Sequence, residues 1–525
     1  MSVLPFDPQR IMDFLHSLAV SVSPSTAATA AALASAYLLI RWRNSGLDRI
    51  PAIGPTGLIT SFFGAQEYLR NAPKVVQKGY NMYKNGVFRV PYYDKWVVVV
   101  GSQQLVYDLR SSRDEDLSAI LSFGAIFAAK WTLGESFITN DYHTKVIQGA
   151  MTRSISERFL DVKEEIGLAF EDELKFTPGG DEWITVLGLQ TVLRVISRAS
   201  NRLFVGAPLC RDPDYRDLTV NFAIGAMNSA KKINLFPHWL KPIVGPLITT
   251  LPRDLEHAKR HLVPIIEERL RLEAEHGPNW PDRPSDLISW LLEYAEGEER
   301  TPHELTRRML MVNFVAIHTS ANSFTQALFH LAHEPHYAGP LREELAAAVA
   351  EDGWTKAAMS KCIKLDSFLR ESQRFNGASA VNINRIVVNP NGFTFSDGTH
   401  LPQGTFLTAA THATHHDPDN YADPEVFDGF RFAKMRLSEE GGMDKGSIKL
   451  QMVAPDVKYL SFGLGRHACP GRFFAVNELK LMLAYILEHY DVKLESPERP
   501  PTEWFGTLAA ANRFGKVMFR KRTDI

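Results

Sequence analysis

Cysteine is scarce. Cys210, Cys362 and Cys469 are the only three in 525 residues, with no C-x-x-C pair among them, which excludes a zinc ribbon, a dithiol redox motif and a disulfide scaffold. Charge of one sign is also lacking: 58 Lys+Arg stand against 60 Asp+Glu, a formal net charge of −2. Without a basic surplus there is no electrostatic footprint for nucleic acid, and neither DNA nor RNA is expected as a partner. No internal repeat occurs, and no G-x-G-x-x-G opens a helix after a strand, so the chain offers no nicotinamide or flavin site of its own. What remains is ordinary globular composition, 45% hydrophobic and 22% charged with 34 Gly and 30 Pro, at a length that buries a large core without covalent staples.

The first structural signal is an uncharged stretch from Leu18 to Ile40, rich in Ala, Ser and Thr, followed at once by Arg41-Trp42-Arg43. It is long enough to span a bilayer. The basic and aromatic flank places that side in the cytoplasm, agreeing with unpaired cysteines in a reducing compartment. A cleaved signal peptide would carry its positive cluster in front, not behind. The sequence therefore reads as an N-terminal segment, 1–43, with a single transmembrane anchor over about 18–40, and a catalytic body, 44–525. Ile50-Pro51-Ala52-Ile53-Gly54-Pro55 cannot continue a helix and forms a stiff hinge between them.

Within the body, short β-rich runs bounded by Gly and Pro (Val87 to Val90, Trp96 to Val100) predict a small sheet. From about 140 to 375 apolar positions recur at helical spacing. Thr301-Pro302-His303-Glu304 is a capping box with Pro at the first turn, starting a helix that runs to His333 before Glu334-Pro335. Its middle, Met309 to Ile317, is apolar on every side except at Asn313, as suits a helix crossing a core. After Gln373 short strands return between Asn391-Gly392, Asp397-Gly398 and Pro402 to Gly404 turns.

The most informative stretch is Phe462-Gly463-Leu464-Gly465-Arg466-His467-Ala468-Cys469-Pro470-Gly471-Arg472. Its glycines allow close backbone approach to a flat partner, and Pro470 sits where a helix begins, so Cys469 lies at a helix N-terminus that favours a thiolate, with Arg466 and His467 adding positive charge. Such a thiolate serves as a nucleophile or as a metal ligand. The segment resembles the haem-binding loop of the cytochrome P450 family, with Phe462, Gly465, His467, Cys469 and Gly471 at its fixed positions. The resemblance implies that Cys469 is the axial ligand of a haem iron and that His467 faces a haem propionate. Arg385 stands where the family carries another propionate-binding cation. Arg466 is expected to face solvent.

Two further matches support the same family. Glu371-Ser372-Gln373-Arg374 is an E-x-x-R at helical spacing, and Arg431 completes the family's triad, whose implied role is structural. In the long central helix Val315-Ala316-Ile317-His318-Thr319-Ser320 stands at the family's distal motif, where Thr319 would hydrogen-bond bound dioxygen and pass it a proton, beside Ser320. His318 occupies the place of the usual carboxylate and could relay protons itself. The early Trp/Arg pair that usually holds a propionate is missing, with His143 or Arg153 as replacements. Pocket walls by family position are Phe123, Phe127, Trp131, Ala316, Ala378 to Val381 and Phe505 to Leu508.

These readings converge on a mainly α, cytochrome P450-like helical fold with small β-sheets, preceded by the anchoring helix. The implied activity is that of a haem-thiolate monooxygenase inserting one oxygen atom of dioxygen into an apolar substrate, with electrons from NADPH through a separate cytochrome P450 reductase. Fungal microsomal members of secondary metabolism look most similar, implying a terpenoid or polycyclic substrate and an endoplasmic reticulum membrane with the catalytic body facing the cytosol. The alternatives are a haem-thiolate isomerase or dehydratase and a non-catalytic haem-binding sensor or carrier.

Overall fold

The computed structural model describes residues 46–523 except 58, 93, 178–181 and 439–447, together with 28, 29, 32 and 35. The anchor expected over about 18–40 lies almost wholly outside these residues. Among the described residues no helix is long and apolar enough to cross a membrane.

The β-rich runs pair as expected. β1 (Val87–Pro91) and β2 (Trp96–Val100) form an antiparallel hairpin, Val87 opposite Val100, with all ten residues buried. Three strands from distant parts of the chain complete the sheet: β3 (Leu117–Ser118), β5 (Asn382–Val387) and β8 (Phe406–Ala409), in the order β1-β2-β8-β5-β3, with β2 and β8 parallel. A second sheet orders β4 (Ile184–Leu187), β12 (Lys516–Lys521) and β9 (Tyr490–Leu494). Two small hairpins are β6–β7 (Phe393–Thr394, His400–Leu401) and β10–β11 (Glu503–Phe505, Leu508–Ala510).

Helices make up most of the rest: α1 (Thr60–Met82), α2 (Phe159–Glu173), α3 (Gly188–Phe204), α4 (Pro213–Ile233), α5 (Leu251–His276), α6 (Pro302–His333), α7 (Ile363–Phe375) and α8 (Arg472–His489), among shorter pieces. The central helix α6 has the predicted bounds. Thr301 Oγ1 accepts from Glu304 N–H at 3.3 Å, but the Glu304 carboxylate pairs with Arg307 and Ser136. The box is thus half formed, because a charged partner on the next turn and a hydroxyl from another element compete for the carboxylate. In 32 residues, about 48 Å, α6 runs through two apolar clusters, contributing Met309 to Phe314 to one and Ile317, Ala321, Phe324 and Leu328 to the other. The lone polar residue of its middle, Asn313, is fully buried and satisfied: it donates to Met309 O and accepts from Asn201 of α3 at 2.9 Å.

What secures the carboxy-terminal half is a charged cluster. Glu371 and Arg374 of α7 are both fully buried and form a two-pronged ion pair at 2.8 Å in each arm. Arg431 Nε donates to Glu371 Oε1 at 3.1 Å, and the backbone N–H of Asp428 reaches the same oxygen at 3.2 Å. The spare guanidinium hydrogens go to carbonyls of the intervening loop: Arg374 to His415 and Pro424, Arg431 to Ala422, Asp423 and Val426. One helix therefore holds the chain from 415 to 431 in place. Nearby, Tyr459 donates to Gln373 at 2.8 Å and Leu460 N–H to His415 at 2.9 Å, which fixes the approach to the Cys469 loop.

Replacing Glu371 by Gln leaves two buried guanidinium groups without a counter-charge. Unfolding in guanidinium chloride should show a loss of about 3–5 kcal/mol; a loss below ~1 kcal/mol would mean that the cluster does not hold this half together.

Candidate functional site

The loop before α8 is shaped by its backbone. Gly463 and Gly465 have φ of 73° and 71°, the left-handed region that favours glycine. A Cβ at Gly465 would lie 2.8 Å from the carbonyl oxygen of Arg110, so this glycine also permits a close approach. Cys469 N–H donates to Phe462 O at 2.8 Å and Ala468 N–H to Gly465 O at 3.1 Å, closing the loop on itself. The helix starts at Arg472 with Gly471 as its cap, leaving Cys469 just outside the first turn.

Burial pushes the Cys469 thiol up, while the backbone N–H groups of Gly471 and Arg472 and the Arg472 charge pull it down. The charge beside the sulfur therefore belongs to Arg472, whose Nη1 donates to Cys469 O at 2.9 Å, and not to the expected pair. Arg466 is exposed, as expected, and donates to Ser112 O. His467 Nε2 meets the Asp114 carboxylate at 2.5 Å. Both are drawn to this acid in the loop just before β3, a partner that sequence spacing could not supply. The other two cysteines are buried in apolar clusters, where burial raises their thiols to about 11 for Cys210 and about 12 for Cys362.

Arg385 on β5 is 4% exposed. Its Nη1 donates only to the neighbouring Asn384 O at 2.8 Å, and its Nε has no hydrogen-bond partner. Burial brings this guanidinium down to about 10, with Asp114 opposing the shift and Arg466 adding to it. A buried cation with an unused N–H calls for an anion. A propionate-bearing haem fits that demand, and Cys469 supplies the matching thiol. His143 is not available for a propionate, since Arg308 contacts its Nδ1 at 3.2 Å, and burial together with the Arg308 charge lowers it to about 3. Arg153 is exposed on the surface.

On α6 three consecutive residues point to three different partners, because successive helical residues are turned by about 100°. Thr319 is exposed although much of α6 around it is buried, and its Oγ1 donates to Val315 O at 2.8 Å and lies 3.3 Å from Ala316 O. His318 Nε2 bonds Val220 O of α4 at 2.9 Å; burial lowers its pKa against the opposing pull of that carbonyl, so the ring is neutral. Ser320, 5% exposed, lies against the carboxyl of Glu478 on α8. Glu478 also accepts from Ser200 at 2.6 Å and is 1% exposed. Sequence reasoning missed this acid. Its signal was available: a carboxylate in the mostly apolar run from Phe473 to Ile486, nine residues after Cys469.

The expected pocket walls come together in pairs. Phe123 and Phe127, on the short helix Ala119–Phe127, pack with tilted rings 4.5 Å apart, and Phe127 meets Phe314 of α6 edge-on at 5.3 Å. Ala380 N–H donates to Thr507 O at 2.7 Å and Ala509 N–H to Ala378 O at 2.9 Å, joining the 378–381 and 505–508 segments. Asn322 ties both to α6 through Ala509 O and Ala511 N. Trp131 instead packs beneath Gly245 of the chain between α4 and α5.

Comparison with known proteins agrees with this geometry. The family model described as Cytochrome P450 matches residues 54–515. Cytochrome P450 monooxygenase 151 of Postia placenta is 41% identical over 94% of this chain and 97% of its own length. Cytochrome P450 monooxygenase CYP512U6 of Ganoderma lucidum is 32% identical over 94% and 96%, and ent-kaurene oxidase P450-4 of Gibberella fujikuroi is 30% identical over 89% and 91%. Among solved structures, the retinoic acid-bound cyanobacterial CYP120A1 superposes with a TM-score of 0.65 at 18% identity, covering 87% of this chain and 96% of that one; it shows the shared fold.

Burial raises Glu478 from 4.5 to about 8, with Ser200 and Ser320 opposing. A folded-state pKa above the unfolded one contributes stability that is whole below pH 4.5 and is lost as pH rises towards about 8. Urea unfolding between pH 5 and 8 should show this decline in the parent chain and a flatter profile in Glu478→Gln; equal slopes would remove Glu478 as its source.

Proposed function

The chain belongs to the cytochrome P450 family, a family of haem-thiolate monooxygenases, and from that premise we propose that Cys469 is its thiolate ligand and that it oxygenates an apolar, terpenoid or polycyclic substrate. The observation that carries the ligand assignment is the contrast between Cys469, in a glycine-shaped loop at the head of α8, and two cysteines sealed in apolar clusters. Haem, when bound, supplies the iron at which dioxygen is reduced and one of its atoms is passed to the substrate.

The chain's own residues do the rest. Arg385, buried with an unused Nε–H, would hold a haem propionate, and His467, now paired with Asp114, would be a second residue for that anion. Thr319 spends its own hydrogen on Val315 O in the protein alone, so passing a proton to dioxygen would require Oγ1–H to leave that carbonyl. Ser320 and Glu478 hold a proton in the core next to α6, since a carboxyl pushed up to about 8 is protonated at neutral pH. His318, bonded to Val220 O, keeps α4 and α6 in register; proton relay through it requires that bond to open. Aromatic and aliphatic walls at Phe123, Phe127 and Leu508 exclude water and suit an apolar substrate. The relative named as an ent-kaurene oxidase supports that class.

A redox partner and dioxygen are required by the family chemistry. We take the electron donor to be an NADPH-dependent cytochrome P450 reductase and the location to be the endoplasmic reticulum membrane, with residues 1–43 as a single-pass anchor segment and 44–525 facing the cytosol. The uncharged stretch 18–40 with Arg41-Trp42-Arg43 behind it supports this. So do exposed apolar side chains on the body: Ile59 and Phe63 at the start of α1, and Leu235, Trp239, Ile243 and Leu247 between α4 and α5.

The dithionite-reduced protein with carbon monoxide should show the strongly red-shifted Soret band of a thiolate-bound haem. Cys469→Ala should lose it; a band that persists would move the ligand elsewhere. Thr319→Ala should keep the band and lower product formed per NADPH consumed by about tenfold, and full coupling would remove Thr319 from oxygen handling.

A further inference from the structure

Away from the haem loop, His257 and His261 lie one turn apart on the same face of α5 and turn their rings towards the start of α4. Both Nε2 atoms converge on one oxygen, Oδ2 of Asp214, at 2.7 and 2.8 Å. One donor atom from each residue can be chosen so that all three lie within 4.8 Å of one another. Asp214 is not consumed by capping, because Asp212 already accepts from Tyr215 N–H at 3.0 Å. The buried Tyr215 ring lies edge-on to His261 at 5.6 Å and fixes its plane. All three side chains reach solvent, at 34%, 17% and 63% for His257, His261 and Asp214. The neighbouring Lys259 is engaged by Glu256 at 2.7 Å.

We propose that Asp214, His257 and His261 bind one divalent transition ion of the zinc class, and that the bound ion ties the first turn of α4 to α5. Two imidazole nitrogens and a carboxylate oxygen suit zinc, whereas magnesium and calcium prefer oxygen sets. Metal–ligand bonds of about 2.0–2.1 Å place tetrahedral ligand atoms roughly 3.3 Å apart, so the exposed Asp214 carboxylate would withdraw slightly and the two imidazoles would close to that spacing. Water fills the remaining position. The consequence reaches the substrate side. The chain between α4 and α5 packs on the 125–131 segment, through Asn234 to Ala125 O and Ile126 O, and through Thr249 to Trp131 O. An ion joining the first turn of α4 to the second and third turns of α5 would steady the pair that carries this cover.

The test uses the full haem-loaded chain after chelator treatment, titrated calorimetrically with zinc chloride and with magnesium chloride. Zinc should bind in one equivalent and raise the thermal midpoint, and magnesium should do neither. His257→Gln and His261→Gln should each weaken zinc binding at least tenfold and abolish the rise, with the Soret band showing that both variants fold. Zinc should also slow amide exchange across 213–276. Zinc affinity in the variants equal to that of the parent, or a thermal midpoint that zinc leaves unmoved, overturns the site; unchanged exchange despite binding overturns the clamp.

Discussion

Everything on the carboxy-terminal side of this protein depends on one buried carboxylate. Glu371 accepts from two guanidinium groups and a backbone amide, and each guanidinium spends its other hydrogens on carbonyls of a loop with no regular structure of its own. Such a loop cannot be held by sheet or helix hydrogen bonds, so its carbonyls need donors brought from outside. Arginine suits this role because its planar group reaches several acceptors at once. A buried charge cluster is weak evidence for net stability, since dehydrating the ions costs several kcal/mol. Its value here is geometric: it defines one path for the chain leading to Cys469.

The thiol loop follows the same logic on a smaller scale. Two glycines with positive φ and a pair of short backbone bonds close it, and the carbonyl of Arg110 presses against Gly465. The electrostatics around it are supplied by residues far apart in sequence: Arg472 beside the sulfur, Asp114 gathering His467 and Arg466, and Arg385 buried with an unused N–H. A cation kept dry with an unmet donor is unfavourable in the protein alone, and it becomes favourable when an anionic group arrives. The site is therefore organised for its cofactor in advance.

On α6 the three polar side chains at 318–320 are divided among different neighbours. Thr319 is exposed and bonded to Val315 O, His318 is bonded to α4, and Ser320 reaches back to Glu478 on the helix that follows Cys469. The acid absent from the central helix motif is thus matched by a neutral carboxyl on α8. Its partner Ser320 directly follows Thr319 on α6, and the proton of Glu478 is retained because burial disfavours the charged form.

Local spacing was enough to determine the features that depend on near neighbours: the start of α6 at Thr301-Pro302 and its end before Pro335, the β1–β2 hairpin, the glycine-framed Cys469, and the Glu371/Arg374 pair three residues apart. These are legible because caps, turns and i,i+3 contacts are set within a few residues. Only the tertiary structure decided the rest. Asp114 lies more than three hundred residues before His467, Glu304 left its cap for Arg307 and Ser136, His318 found a carbonyl on α4, and His143 was taken by Arg308. Side chains of charged and polar residues choose partners by what folding brings within about 3 Å and by how much water it removes. Neither quantity is written in the order of the residues.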